Sequence, residues 1–148
     1  MTDQIERSIK INVPVERLWR ALTNSTEFGT WFGVTLQGEF IVGQVTRGTL
    51  TVRGHEGLPF WVRVEAMEAP RLFRFSWPYD EAVTPEDSGL DRKTTTVEFL
   101  IEPRGEGSKL TICESGFDKL PLEKRLQAFR DNTYGWEFQS NNIKIYLE

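Results

Sequence analysis

The run from Leu122 to Leu147 constrains the fold of this chain more than any other stretch. Within it Leu122, Leu126, Phe129, Thr133, Trp136, Ser140, Ile143 and Leu147 recur at spacings of four and three. Those spacings place them on one face of a long α-helix. Midway along, the face carries Thr133 and Ser140 beside Trp136, small residues where larger ones would close the space. Nearly everything upstream, apart from two short helical patterns, alternates with a period of two. One long helix on a strand-built body predicts an α+β fold, a sheet wrapped round a helix with a pocket between them.

The first strand is written in Ile5, Ile9, Ile11 and Val13 on odd positions, with Glu6, Ser8, Lys10 and Asn12 on even ones. Arg7 breaks the apolar series on the face that should be buried. Pro14 suits the first position of a helix, where its missing N–H has no partner to lose. Val15, Leu18, Trp19 and Leu22 follow at helical spacing. Asn24 with Glu27 three residues on reads as a capping box opening a second short helix, with Phe28, Trp31 and Phe32 on one face and Gly33 at its end.

From Val34 to Ser115 the period is two, which predicts an antiparallel meander. Leu36, Phe40 and Val42 give one strand, and Leu50 and Val52 another after Gly48. Phe60, Val62, Val64 and Ala66 make a third, and Phe73, Phe75 and Trp77 a fourth. Thr95, Val97, Phe99 and Ile101 come next, then Leu110 and Ile112 after a turn at Gly105–Gly107. The stretch from Pro78 to Lys93, with two prolines and five acidic residues, predicts a flexible connection, with ligand gating as the alternative.

At 148 residues the chain is expected to form one domain, residues 1–148, burying roughly two-thirds of its unfolded surface. With 18 basic against 22 acidic residues, a net charge of −4 and no basic run, nucleic acid is not an expected partner. The lone Cys113 excludes an internal disulfide and fits a reducing compartment. The N-terminus does not read as a signal peptide, and no window approaches the roughly 20 apolar residues of a membrane span. A cytoplasmic protein is the expectation.

Four segments in order resemble a known family. Ile9–Pro14 running into Leu18–Thr23 and then Trp31–Gly33 looks like the opening of START-like, SRPBCC-type domains. Val64–Trp77, Glu114–Phe117, and Gly135-Trp136 leading to Tyr146–Glu148 agree. Within that superfamily the chain is most similar to the branch related to the activator of heat-shock-protein-90 ATPase. The resemblance covers the whole chain. It implies a helix-grip fold: a curved seven-stranded antiparallel sheet around the C-terminal helix, with two short helices after the first strand. It also implies a hydrophobic tunnel between helix and sheet, used in the superfamily for lipids, hormones and polyketides, and in the co-chaperone branch a contact with a chaperone. The chain departs from the eukaryotic co-chaperone in lacking the separate N-terminal domain, which argues against direct stimulation of a chaperone ATPase.

No catalytic or cofactor motif accompanies this pattern, so no catalytic residue, metal or cofactor is expected. His55, the single histidine, sits in a glycine-rich turn and reads as a solvated loop residue. Cys113 falls out of phase with Leu110 and Ile112, on the opposite face of its strand. Trp31, Phe32, Phe73, Phe75, Trp77, Phe99, Phe129, Thr133 and Trp136 are the expected cavity lining, core filling being the plainer role for any one of them. Gly135 inside the helix predicts close backbone approach or a bend. Arg7 and Glu114 both lie in apolar phase, and antiparallel pairing of first and last strands would bring them together. They are candidate polar anchors for a ligand carboxylate or carbonyl, or simply an ion pair. Tyr134 is a third anchor candidate, at a pocket mouth or in water. Trp61 and Phe138 fall off their expected faces and mark a candidate partner surface, with a homodimer among the options. Three functions are therefore open: a non-enzymatic binder of a small hydrophobic molecule, a module that engages a chaperone or other macromolecule, and a cyclase- or dehydrase-type enzyme.

Overall fold

The computed structural model describes residues 3–148. The chain runs β1 (Gln4–Ile11), α1 (Val15–Thr23), α2 (Ser25–Phe32), β2 (Val34–Leu36), β3 (Val45–Leu50), β4 (Pro59–Glu68), β5 (Leu72–Pro78), β6 (Thr94–Arg104), β7 (Gly107–Ser115) and α3 (Leu122–Leu147). The seven strands form one antiparallel sheet in the order β1-β7-β6-β5-β4-β3-β2. This is the helix-grip architecture, with α3 lying against β1 and α2. No helix among the described residues is long and apolar enough to cross a membrane.

The two short helices form close to where the caps predict. α1 begins at Val15, and Pro14, expected as its first residue, is the extended N-cap before it. Asn24 Oδ1 accepts the Glu27 N–H at 3.0 Å, and Gly33 ends α2 at φ 95°, a conformation that favours glycine. The reciprocal half of the capping box is not made. Glu27 turns instead to Arg17 at 2.7 Å, Arg20 at 2.7 Å and the Tyr146 hydroxyl at 2.8 Å. One carboxylate thereby ties α1 and α2 to the end of α3. Burial pushes that carboxyl up, but the Tyr146 and Arg17 donors and the two arginine charges hold it below its usual range.

Several expectations change. β2 ends at Leu36, so Phe40 and Val42 belong to a loop, where Phe40 packs on Phe28 and Phe73 and Val42 is exposed. Gly48 lies inside β3, not before it. A Cβ there would come within 2.5 Å of the Thr35 carbonyl oxygen, so β2 and β3 approach closely only because residue 48 has none.

The connection from Pro78 to Lys93 is tied down at several points. Val83 is buried, its carbonyl accepts the Trp61 indole N–H at 3.0 Å, and the Tyr79 N–H donates to the Lys93 carbonyl. Arg47 pairs with Glu86. The loop therefore covers Trp61, which is buried and withdrawn as a partner-surface residue.

Candidate functional site

The concave face of the sheet is built by alternate residues of β5, β6 and β7, in cross-strand rows. One row runs Met67, Phe73, Phe99, Ile112, Arg7. The next runs Val64, Phe75, Val97, Glu114, Ile5. Phe73, Phe75 and Phe99 are fully buried and touch one another, with ring centroids 5.5–6.1 Å apart. They fill the interior between sheet and helix and border none of the clefts described below. In this structure they are core, not cavity lining.

Glu114 is the exception in its row. An acidic side chain among apolar neighbours, it is 0% exposed and yet has no cation in contact among the described residues. Four neutral donors meet it. The Trp136 indole N–H reaches Oε1 at 2.8 Å. The Trp77 indole N–H at 2.9 Å, the Thr95 hydroxyl at 2.5 Å and Asn132 Nδ2 at 2.9 Å reach Oε2. A carboxylate accepts through two oxygens only, and here both are occupied. Burial raises the Glu114 carboxyl above its ordinary range, against the pull of the four donors.

The expected meeting of Arg7 and Glu114 does not occur. The strands do pair, but with Ile5 opposite Glu114 and Arg7 opposite Ile112. Arg7 Nε donates to Ser140 Oγ at 2.7 Å, so the small residue on α3 accommodates the arginine rather than leaving room for a ligand.

α3 brings two of the four donors to Glu114, and its buried face is Ala128, Trp136, Gln139, Ser140 and Ile143. Leu122, Leu126 and Thr133, expected on that face, are exposed, and Thr133 returns its hydroxyl to the Phe129 carbonyl. Phe129 packs on Phe117 at 5.1 Å, below the site. Tyr134 is exposed and borders neither cleft near Glu114. Trp31 donates its indole N–H to the Ala21 carbonyl and packs on Phe28, Phe32 and Phe99. Gly135 shows no close approach: a Cβ there would meet nothing within 4 Å.

Open space lies at one side of the helix, not in the middle of the grip. A cleft of about 250 Å³ is bordered by Phe32, Phe60, Trp61, Trp77 and Asn132, with His55, Tyr79, Asp80 and Glu81 towards solvent. A second, of about 220 Å³, adjoins it under α3 and shares Phe32, Trp77 and Asn132, adding Val52, Gly135, Trp136, Phe138 and Gln139. The aromatic walls are mutually packed. Phe32 and Phe60 lie 5.3 Å apart, Phe60 and Trp77 6.3 Å, and Trp77 stacks on Trp136 at 5.4 Å and 19°. Of the expected lining, Phe32, Trp77 and Trp136 are thus brought together.

Asn132 and Gln139 were not foreseen, because polar residues on a helix face carry no periodic signal. Gln139 Nε2 donates to the Phe32 carbonyl at 2.9 Å, linking α3 to α2. Asn132 is one turn before Trp136, and that spacing is the signal that would have found it. His55 is exposed as expected, though it borders the cleft. Cys113 lies half-buried on the outer face of β7. Burial and the nearby charges of Glu6 and Glu98 push its thiol up, away from a reactive thiolate. No cluster of metal-ligating side chains occurs among the described residues.

Residues 12–148 match a family model described as Activator of Hsp90 ATPase homolog 1-like protein. No curated protein matched the sequence. Among solved structures, protein MLL2253 from Mesorhizobium loti is 20% identical, with 97% of this chain and 96% of that chain covered and a TM-score of 0.75. A protein from Arthrobacter aurescens is 19% identical over 98% of this chain and 86% of its own, with a TM-score of 0.79. The Aha1 dimer from Colwellia psychrerythraea is 15% identical over 100% of this chain and 97% of its own, with a TM-score of 0.75. At such identities the likeness is one of fold.

Proposed function

The chain belongs to the Activator of Hsp90 ATPase homolog 1-like family, and from that premise we propose that it is a non-enzymatic binder of a small, largely apolar molecule. The molecule lies in the cleft between α3 and the β4–β5 side of the sheet, against Phe32, Phe60 and Trp77. What carries this proposal is the aromatic-walled cleft beside the helix, in a protein whose central interior is otherwise filled with phenylalanine. Binding sites of this kind are concave and mostly apolar, with a few fixed polar groups. Asn132 is such a group, held by Glu114 at 2.9 Å. Glu114 itself is occupied by four protein donors, which supports a positioning role rather than proton transfer to a substrate.

Native mass spectrometry of freshly purified protein, followed by organic extraction, tests the proposal. A reproducible extra mass lost on extraction supports it. So does stabilisation by an added lipophilic compound, about 2.7 kcal/mol at a hundred times its dissociation constant. Protein that carries nothing and gains no stability from such compounds refutes it.

Association with protein is the second proposal, and a different observation favours it. Tyr134, Phe138 and Ile145 are all exposed on α3, Phe138 at the rim of the cleft under the helix. A neighbour in fold is described as a dimer. Sedimentation equilibrium across a hundredfold concentration range would reveal a homodimer, and a single monomer mass throughout would exclude one.

A further inference from the structure

We propose that the molecule held in this cleft is an organic cation, an apolar body ending in an ammonium group. This presupposes that the cleft is the binding site, and it follows from which hydrogen-bonding groups remain unspent there.

Three indole N–H groups border the two adjoining clefts, and all three are consumed inside the protein. Trp61 donates to the Val83 carbonyl at 3.0 Å, Trp77 to Glu114 Oε2 at 2.9 Å and Trp136 to Glu114 Oε1 at 2.8 Å. Trp61 and Trp136 are buried and Trp77 stacks one face on Trp136, so what the indoles leave for a ligand is the partly exposed ring of Trp77. Asn132 is oriented by the same carboxylate. Its Nδ2 donates to Glu114 Oε2 at 2.9 Å. Its Oδ1 meets no donor among the described residues, so the amide contributes an acceptor to the clefts it borders.

At the solvent end stand Asp80 and Glu81. One oxygen of Asp80 takes the Ala82 N–H at 2.8 Å, and the other is left over. Among the described residues neither lysine nor arginine borders the larger cleft, and the side-chain donors not already spent there are the His55 imidazole and the Tyr79 hydroxyl.

Each class of ligand head group meets this surface differently. A carboxylate would approach two like charges with no cation among the described residues to receive it, which disfavours it. The anchor for a carboxylate expected at Arg7 lies elsewhere, on Ser140. A hydroxyl can satisfy Asn132 and no more. An ammonium donates to Asn132 or Asp80 and is attracted by the carboxylates. It also gains from the faces of Trp77 and Phe60, an attraction that strengthens as water is excluded.

The test is calorimetric titration of the full chain at pH 7.5 and low salt with three probes of equal chain length: octylamine, octanol and octanoate. The expected order is octylamine tightest, by about tenfold over octanol, with octanoate weakest. The Asp80→Asn/Glu81→Gln variant should narrow the gap between octylamine and octanol while leaving octanol unchanged. Octanol or octanoate binding as tightly as octylamine overturns the cation and leaves the apolar site standing. An octylamine preference undiminished in the variant overturns it as well. Failure of all three probes to bind removes the site, and the cation with it.

Discussion

Glu114→Gln separates a buried carboxyl raised above its ordinary range from one held down as an ion. The side chain is 0% exposed, with four donors and no cation in contact among the described residues, and burial outweighs the donors to raise its pKa. The folded value then lies above the unfolded one, about 4.3. Between those two values the native state holds a proton that the unfolded state has released. The contribution to stability is therefore fully present below the unfolded pKa and lost as pH rises through the folded pKa. At its steepest the loss is about 1.4 kcal/mol per pH unit. Glutamine does not titrate, and its best orientation turns the amide nitrogen towards Trp136, where donor meets donor. That leaves one buried indole N–H unpaired, a cost of about 1–3 kcal/mol. Urea denaturation of both proteins from pH 4.5 to 8.5, followed by tryptophan fluorescence, measures the difference. Every other carboxyl cancels in the comparison. The variant should be the less stable protein at acid pH, and the gap should narrow as pH rises. A gap that is flat or widens with pH would mean that the donors outweigh burial, and the reasoning would fail.

Glu27 has the opposite sign. Its carboxyl is held low by Tyr146 and the two arginines against the push of burial, so its stabilisation is present above the unfolded pKa and lost as pH falls through the folded one. Glu27→Gln should lower stability by about 1–2 kcal/mol at neutral pH, and an unchanged urea midpoint would discount the clamp on α1, α2 and α3. Gly135→Ala should stabilise α3 by about 1 kcal/mol, since the new methyl meets nothing within 4 Å. Gly135→Leu, filling the cleft under the helix, should reduce uptake of a bound molecule, and undiminished uptake in a folded variant would move the site away from α3. Phe99→Ala should cost about 3–5 kcal/mol in chemical denaturation, as expected for a fully buried ring packed on Trp31, Phe73, Phe75 and Trp136. A cost under about 1 kcal/mol would show that the space around it is not filled.

Much of the fold is legible in the sequence because local chemistry and burial agree there. Pro14, Asn24 and Gly33 mark helix ends by mechanisms that act within a few residues. The alternation of Leu110, Ile112 and Glu114 declares the inner face of β7 even though the last of them is charged. α3 is harder to phase. Leu126, Thr133, Ser140 and Leu147 follow a strict seven-residue repeat, which drifts about 20° per heptad on a straight helix. A face anchored by Ser140 has therefore rotated into water by Thr133 and Leu126. Trp61 fails for another reason. A period of two distinguishes the concave face from the other, but it cannot see a loop, 22 residues on at Val83, folding back over the outer side. The same blindness hides Asn132, whose partner is 18 residues away in sequence.

A buried acid surrounded by neutral donors is a poor device for stability alone, since a well-packed apolar side chain often serves as well or better. What Glu114 does that leucine cannot is fix directions. Its carboxylate on β7 receives Trp77 from β5, Thr95 from β6, and Asn132 and Trp136 from α3. Three of these four side chains border the clefts. The helix is thus registered against the sheet by hydrogen bonds with defined angles, at the place where apolar packing is incomplete because the clefts interrupt it. A cleft between a helix and a sheet would ordinarily be free to close by sliding, which is cheap where only apolar surfaces meet. Sliding here would strip a buried carboxylate of its donors, a loss of about 1–3 kcal/mol or more. The carboxylate holds the cleft open, and it does so through the same residues that a bound molecule would touch.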